Sequence, residues 1–281
     1  MAIFKRCLRF SLQVEDLVKT YEENSINPLS LKVEFETEAG YNSISNGNII
    51  LYGLNDKDAA FLSTNYKNGA YINSLVTLEA GYNDIYSLIL NGNIIETIPD
   101  FSNPDYSVKF KVISGVENNN VLKYTTTSIK KNATLFDILK ETANNNNLAL
   151  DLDSTLKNKN IGDYTFQGTP FYQIENLRNY FNKDVLIYVE NKKLVIKNEA
   201  TKTQPILKLN NKSGLIGTPR PTNLGCEVIT LLNANLRLND FIELESLKIP
   251  QLNGTYRIMN IKHRGSNRGE AWNSIFLLQK G

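Results

Sequence analysis

The sequence predicts a mainly β protein of the α+β class, in which two small β-barrel or β-sandwich domains flank a small α+β domain. Both ends of the chain carry short runs in which apolar and polar residues alternate, with turn residues between the runs. The middle of the chain instead spaces its apolar residues as helices do. Because 281 residues are more than one ordinary domain needs, we place three domains at residues 1–115, 116–204 and 205–281.

One phrase occurs twice in the first β domain. Ala-Gly-Tyr-Asn stands at residues 39–42 and again at 80–83, and each copy is followed by Asn-Gly-Asn and two isoleucines, at 46–50 and 91–95. Glycine and asparagine tolerate positive φ angles, so these phrases predict turns between strands. The predicted elements are strands at 4–12, 31–35, 48–52, 76–80, 85–90 and 106–112, and one helix at 56–65 with Asp56 as its cap.

Two helices are predicted in the middle domain. The first has one apolar face and is ended by an asparagine run, since asparagine suits helix C-termini. The second has Thr169 as N-cap and Pro170 at its first position. The two apolar faces consist of Leu135, Ile138, Leu139 and Thr142, and of Ile174, Leu177, Tyr180 and Phe181. A hairpin with its turn at 190–192 follows, so we expect two helices against a short sheet.

The C-terminal region returns to the β pattern. Strands are predicted at 226–232, 241–245, 254–262 and 271–278, with polar, glycine-rich turns between them. The segment Leu-Ile-Gly-Thr-Pro-Arg-Pro at 215–221 is predicted to be a rigid, partly extended connector. A five-stranded barrel or sandwich is the expected form.

Composition excludes several classes of partner. The chain has 31 basic and 29 acidic residues, a net charge of +2, so we expect no specific binding of nucleic acid and no attraction to an anionic membrane. Arg9 interrupts the apolar stretch that a signal peptide would need, so we expect the chain to be made and used in a cytoplasm. In that reducing compartment Cys7 and Cys226 are expected to be free thiols.

No catalytic constellation is predicted. His263 is the one histidine, and although a Cys226–His263 dyad stays open, we favour a histidine at the solvent end of a strand and a cysteine in a core. Two cysteines and one histidine do not make a zinc site. The carboxylate pairs Asp137/Glu141 and Glu243/Glu245 are interpreted as solvated faces. We therefore expect no enzyme activity, no catalytic residue, no cofactor and no metal.

Seven phrases follow one another along the chain, at residues 80–95, 134–139, 168–174, 214–222, 225–233, 238–246 and 254–265. Each phrase alone is turn and strand chemistry, but the ordered set covers nearly the whole chain. Their order resembles that of the hub proteins at the baseplate of contractile-tailed bacteriophages, which are related to phage late-control proteins. The last phrase contains His263, which favours a structural role for it. The glycine that the family usually has near residues 238–240 is missing here.

The resemblance implies a homotrimeric structural protein of the virion tail baseplate. Two β domains per subunit would form a ring of pseudo-sixfold symmetry that joins a sixfold tail tube to a threefold central spike. The implied partners are further copies of the chain, the tail spike protein, tail tube or tube-adaptor proteins and other baseplate proteins. Which residues form the interfaces is open; we single out apolar loop residues with no evident core role, namely Ile98, Phe101, Ile249, Pro250 and Leu252.

Two alternatives remain. A tail-tip protein of a non-contractile tail usually continues into a long C-terminal region, whereas the last predicted strand here ends near Gly281; this favours the hub. A β-rich module that binds or cleaves carbohydrate would need an exposed aromatic platform, and for cleavage a carboxylate pair across a cleft. Only one tryptophan, Trp272, is present and no carboxylate is flanked by a recognisable signature, which disfavours this alternative.

Overall fold

The computed structural model describes residues 4–28, 31–41, 43–63, 66–67, 70–71, 74–102, 104–114, 125–181, 185–198 and 207–280. The fold is mainly β with three α-helices in this part of the chain, which confirms the predicted class. Both predicted domain boundaries lie in segments outside the described residues, so the boundaries stay predictions.

The first part of the chain, up to residue 114, holds nine strands and one helix among its described residues. These are β1 (Arg6–Val14), β2 (Leu17–Glu23), β3 (Lys32–Gly40), β4 (Asn46–Tyr52), α1 (Asp56–Ser63), β5 (Tyr66–Lys67), β6 (Ala70–Tyr71), β7 (Ser74–Tyr82), β8 (Ile85–Asp100) and β9 (Ser107–Ile113).

The remaining elements start at residue 125. They are β10 (Thr125–Thr134), α2 (Leu135–Asn145), β11 (Ala149–Leu152), β12 (Asn160–Gly168), α3 (Pro170–Phe181), β13 (Val185–Glu190), β14 (Lys193–Asn198), β15 (Leu207–Leu209), β16 (Leu215–Pro221), β17 (Gly225–Leu231), β18 (Phe241–Leu244), β19 (Gly254–Ser266) and β20 (Trp272–Lys280).

The N-terminal strands pair antiparallel in the order β3-β4-β9-β8-β7-β1-β2. Alternate residues point into one apolar core, as the period of a strand requires. On β1, for example, Leu8, Phe10 and Leu12 are buried, and the ring of Phe10 stacks on Phe110 of β9 with centroids 5.7 Å apart. Helix α1 contributes Ala59 to the same core. Its N-terminal residue is capped by Asn55 and not by Asp56, because the Asn55 side chain accepts the Asp58 amide at 2.9 Å.

The second copy of the repeated phrase forms the predicted turn. Asn83 and Asp84 have φ angles of 53° and 63°, and they join β7 to β8 in a two-residue hairpin. A Cβ on Gly81 would stand 1.9 Å from the Ile85 carbonyl oxygen, so this position accepts only glycine. In the first copy β3 ends at Gly40, and Asn42 lies outside the described residues.

The two Asn-Gly-Asn phrases are not turns, and this prediction is wrong. They lie inside β4 and β8, where the glycines allow close approach of neighbouring groups. A Cβ on Gly92 would stand 2.5 Å from the Ile113 carbonyl oxygen, and one on Gly47 would stand 2.8 Å from both Leu90 and Thr37. Near Gly92 the long strand β8 changes partner from β7 to β9.

The middle unit has the predicted helices and hairpin. Thr134 caps α2 in a capping box with Asp137, a cap that was not predicted from the sequence, and the helix ends in the asparagine run as predicted. The residues predicted for its apolar face are buried, as are Ile174 and Leu177 of α3, whereas the side chains of Tyr180 and Phe181 lie outside the described set. A parallel-antiparallel sheet, β11-β14-β13, carries the helices, and β10 pairs with β12.

The C-terminal strands pair in the order β16-β17-β20-β19, and β18 joins β15 to β19. The segment predicted as a connector is strand β16, paired with β17 at the edge of the sheet. Its register shifts between Ile216 and Arg220, where Gly217 has a φ of 71°. Proline lacks the amide of a ladder, so Pro219 and Pro221 fit an edge strand.

The N-terminal and C-terminal strands belong to one 13-stranded sheet, because β19 pairs with β3. The register runs from Asn260 opposite Gly40 to Ser266 opposite Glu34. The apolar cores also cross between regions: Trp272 packs in the N-terminal core, and Tyr41 and Tyr188 pack in the C-terminal core.

We predict that Gly92→Ala lowers the free energy of unfolding by about 2–4 kcal/mol, because the methyl group has to displace the backbone at Ile113. The matched control is Gly53→Asn, where φ is 75° and the space around the Cβ position is open; asparagine tolerates that conformation, so the cost should stay below about 1 kcal/mol. Urea denaturation measures both. Equal costs would show that Gly92 is not needed for close approach.

Candidate interaction surfaces and the buried junction

His263 lies in the interior of β19 and is buried, so the expectation of a solvent-exposed strand end is wrong. Its Nδ1 atom is 2.8 Å from the Ser274 hydroxyl oxygen on β20. That oxygen accepts the Asn233 amide at 2.9 Å, which leaves the hydroxyl proton for Nδ1 of a neutral imidazole. Burial, together with the positive charge of Arg237, lowers the pKa of His263 to about 3.

The two cysteines are buried free thiols, as predicted. Burial raises the pKa of Cys226 to about 11, so the reactive thiolate is disfavoured at neutral pH. Cys226 is in register with Leu278 of β20, whereas His263 is in register with Ser274, which is four residues before Leu278 on the same strand. That spacing corresponds to about 13 Å along a strand. The structure therefore does not bring Cys226 and His263 together as a dyad.

Arg237 is central to a polar junction between the three regions of the chain. Its guanidinium donates to the Leu88 carbonyl of β8 at 3.4 Å and lies 4.0 Å from the Glu190 carboxylate of β13. Its backbone amide donates to Asp240 at 2.7 Å. Burial raises the pKa values of Glu190 and Asp240, and Arg237 opposes that shift in both.

Two tyrosines connect the same regions. The rings of Tyr41 and Tyr188 pack with centroids 5.8 Å apart. The Tyr41 hydroxyl donates to the Asn239 side chain at 3.0 Å, and the Tyr188 hydroxyl donates to the Leu238 carbonyl at 3.3 Å. Asn239 has a φ of 72°. The turn that lacks the family's glycine is therefore formed by an asparagine, which tolerates this conformation.

The interface residues chosen from the sequence fall into two groups. Ile98 and Phe101 are 41% and 49% exposed at the distal end of the β8–β9 hairpin, although Phe101 also packs against Tyr106 of its own chain at 5.2 Å. Pro250 is exposed, but Ile249 is half-buried and Leu252 packs against the C-terminal core. None of the five is assigned to an interface by these positions, so they stay predictions.

One apolar feature of the outer sheet face was not recognised from the sequence. Ile216, Ile229 and Ile275 are register partners on β16, β17 and β20, so their side chains form one row on the face that points away from the core. We call these three residues the isoleucine row. Ile216 and Ile229 are 42% and 39% exposed, and Leu231 beside them is 39% exposed. The alternation of β17 contained this signal, but only the pairing of three strands creates the row.

The same row becomes charged where it crosses into the N-terminal strands. Lys262 of β19 is in register with Ile275 and pairs with Glu38 of β3 at 3.4 Å, and Arg264 pairs with Glu36 at 2.8 Å. Among the described residues there is no helix long and apolar enough to cross a membrane, and no group of three or more potential metal-binding side chains.

Trp272 is buried, with its ring against Phe35 at 5.7 Å and beneath the Arg6 guanidinium at 5.3 Å. A sugar-binding platform requires an exposed ring, so this tryptophan does not provide one. The carboxylates considered for catalysis have structural partners instead: Asp137 is in the α2 capping box, and Glu245 pairs with Lys208 at 2.5 Å.

A family model described as "Baseplate hub gp41" matches residues 22–276, a range that includes the core of the middle unit, most of the other two cores, the junction and the isoleucine row. The chain belongs to the baseplate hub gp41 family. The resemblance proposed from the ordered phrases is thus confirmed at the level of the family. No curated protein sequence matches the chain.

Solved structures of similar fold include phage tail proteins. The 43 kDa tail protein of prophage MuSo2 from Shewanella oneidensis aligns with a TM-score of 0.66 at 9% identity, over 97% of this chain and 96% of that one. The tail protein from Neisseria meningitidis MC58 gives 0.66 at 8% identity, with the same coverages. The Escherichia coli c3393 protein, a component of the type VI secretion system, gives 0.56 at 9% identity, over 96% of this chain and 76% of that one. At such identities the likeness concerns the fold.

We predict that the hub protein loses stability as the pH falls from 6.5 towards 3. In this range His263 binds a proton in the unfolded state but stays neutral in the folded state, because its pKa is about 3 in the folded state and about 6.5 in the unfolded state. Above pH 6.5 the imidazole is mainly neutral in both states, so stability is not reduced. By pH 5 the free energy of unfolding should be lower by about 2 kcal/mol. Thermal or urea unfolding at several pH values, compared with His263→Gln, isolates the effect from other titrating groups. The variant should be less stable at pH 7 but show a flatter pH dependence; parallel curves would contradict this account.

Proposed function

We propose that this baseplate hub protein is a homotrimeric adaptor of a contractile tail, which joins the sixfold tail tube to the threefold central spike. The observation that carries the proposal is the β3–β19 ladder, which unites the two β regions in one sheet. A threefold assembly that matches a sixfold tube has to present two tube-facing units per subunit at a constant spacing. A continuous ladder of backbone hydrogen bonds supplies that constancy.

The isoleucine row is proposed as a contact between subunits. Obligate interfaces bury more than about 2,000 Å² and are more apolar than ordinary surface. Three adjacent isoleucines in the row, with Leu231 beside them, form an apolar patch at the β16 edge of the sheet, which is proposed as the apolar centre of a larger contact. The bulge and prolines of β16 disfavour edge-to-edge pairing, so contact through the face of the sheet is expected here.

Ile98 and Phe101 are proposed as a second contact, towards the spike or the tube. They lie at the end of a hairpin, where β8 runs to Asp100 beyond its last pair with β7, Leu75 opposite Asn93. With a net charge of +2 the subunit produces little long-range attraction. Apolar burial is not screened by ions, so association with the spike should persist at moderate salt.

A non-enzymatic role follows from the same proposal. The family is one of phage baseplate structural proteins. His263, Cys7 and Cys226 are buried, and their contacts are those of core residues. Within this proposal they contribute packing and hydrogen bonds, and the protein acts by assembly in the virion tail.

The test is the mass of the purified protein in sedimentation velocity, alone and with the spike and tube proteins of the same phage. We expect trimers, and we expect Ile216→Lys/Ile229→Lys to weaken association at least about ten-fold while the fold is retained. The matched control is Ile26→Lys/Leu247→Lys, which changes two residues that are each 83% exposed in loops and adds the same charge. A wild-type monomer that binds neither partner would refute the adaptor; a trimer unaffected by the row variant would refute only the assigned contact.

A further inference from the structure

A groove of about 530 Å³ lies between helix α2 and strand β11 of the middle unit. Its floor consists of Leu148, Leu150 and Leu152, which alternate along the chain and therefore share one face. Its wall consists of Phe136 and Lys140, one turn apart on α2. The contacts proposed above for the adaptor lie in the two β regions and do not involve this groove. We call it the α2–β11 groove.

The groove opens along an unpaired strand edge. Within the described residues β11 pairs only with β14. On the side of β11 that faces β14, the Ala149 amide donates to the Lys192 carbonyl at 3.0 Å and the Asp153 amide donates to the Ile196 carbonyl at 2.9 Å. Because successive residues of a strand direct their backbone groups to opposite sides, Leu150 and Leu152 present their amides and carbonyls to the open edge.

The rim of the groove is positively charged. The ammonium groups of Lys140 and Lys157 are 5.8 and 5.1 Å from the centroid of the Phe136 ring, so both charges lie at one end of the groove. No ion pair between described residues includes either lysine.

Three carboxylates close in sequence to the groove have partners of their own. Asp137 is held in the α2 capping box, Asp151 pairs with Lys197 at 2.9 Å, and Asp153 accepts the Thr155 amide at 3.0 Å. Asp137 also interacts electrostatically with Lys140, so among the described residues the positive charge of the rim is offset only in part.

We propose that the α2–β11 groove binds an extended, acidic segment of a partner protein, which adds to the sheet as a strand beside β11. A strand edge supplies main-chain hydrogen bonds, and pockets for alternate side chains supply selectivity. Apolar side chains of the segment pack on Leu150, Leu152 and Phe136, and its carboxylates face Lys140 and Lys157. The charge of the rim selects an acidic partner over a neutral or basic one. This inference does not depend on trimer formation.

Exposed lysines also serve to protect a sheet edge from any added strand. The two roles make opposite predictions for an acidic strand. If the lysines recognise a partner, the acidic strand binds at the edge. If the lysines only block the edge, it does not bind. The experiment therefore uses a peptide of about eight residues that alternates valine and glutamate, long enough to span the edge. Its controls are the same peptide with lysine in place of glutamate, and the acidic peptide with N-methylated backbone on one edge.

Fluorescence anisotropy on the full chain should show binding of the acidic peptide and not of either control. Lys140→Glu/Lys157→Glu should weaken that binding about ten-fold or more. The matched control variant, Lys212→Glu/Lys248→Glu, makes the same change of charge at two exposed lysines of the C-terminal region and should stay within about two-fold of wild type.

Hydrogen exchange gives a second readout that locates the site. The peptide should slow exchange at the Leu150 and Leu152 amides, whereas Ala149 and Asp153 already donate to β14. No binding of the acidic peptide, equal binding of the lysine peptide, or protection elsewhere would overturn the proposal. Self-association of the hub protein that depends on Lys140 and Lys157 would place a second copy in the groove and would overturn it as well.

Discussion

The ladder between β3 and β19 is the interaction on which the rest of the structure depends, because it makes one sheet of strands from opposite ends of the chain. Side-chain pairs across this ladder help to set its register: Arg264 with Glu36, and Asn260 with Glu38 at 3.0 Å. These pairs are exposed or half-buried, so they add little stability by themselves. The chain between β3 and β19 forms a long loop, and closing it costs entropy. Burial of the two cores on either side of the ladder, together with the ladder itself, offsets that cost.

The middle unit is attached to this sheet by backbone contacts that bring its helices to a defined position. The Ser45 amide and hydroxyl both reach the Val189 carbonyl at 3.0 Å. Arg178 of α3 donates to the carbonyls of Ile187 and Ser43, at 2.8 and 3.1 Å. Burial lowers the pKa of this guanidinium, which has carbonyl partners in place of a carboxylate. A unit tied in this way moves with the sheet, and the α2–β11 groove is presented at a constant place.

The functional residues were predictable only where local chemistry sufficed. The start of α3 at Pro170, the buried face of α2 and the burial of Ile174 and Leu177 followed from local residue types and spacing, whereas the Thr134 cap was not predicted. The Asn-Gly-Asn phrases were wrongly predicted as turns, because glycine is equally suited to a turn and to a position where two strands approach closely. The group that approaches Gly92 is the Ile113 carbonyl, which lies outside the phrase. The burial of His263 was missed for a similar reason. Nothing in the residues around His263 indicates that the Ser274 hydroxyl on β20 bonds to its ring and allows it to be buried.

What the sequence determined by itself was the class of most segments, the absence of a recognisable catalytic motif and, through ordered phrases, the family. These depend on side-chain period, cap chemistry and composition, all of which act over a few residues. Only the tertiary structure decided which strands are neighbours, and so which side chains are inside, which form the isoleucine row and which edge of β11 has no partner strand among the described residues. Strand pairing joins residues far apart in the chain, and a period of two cannot specify its partner.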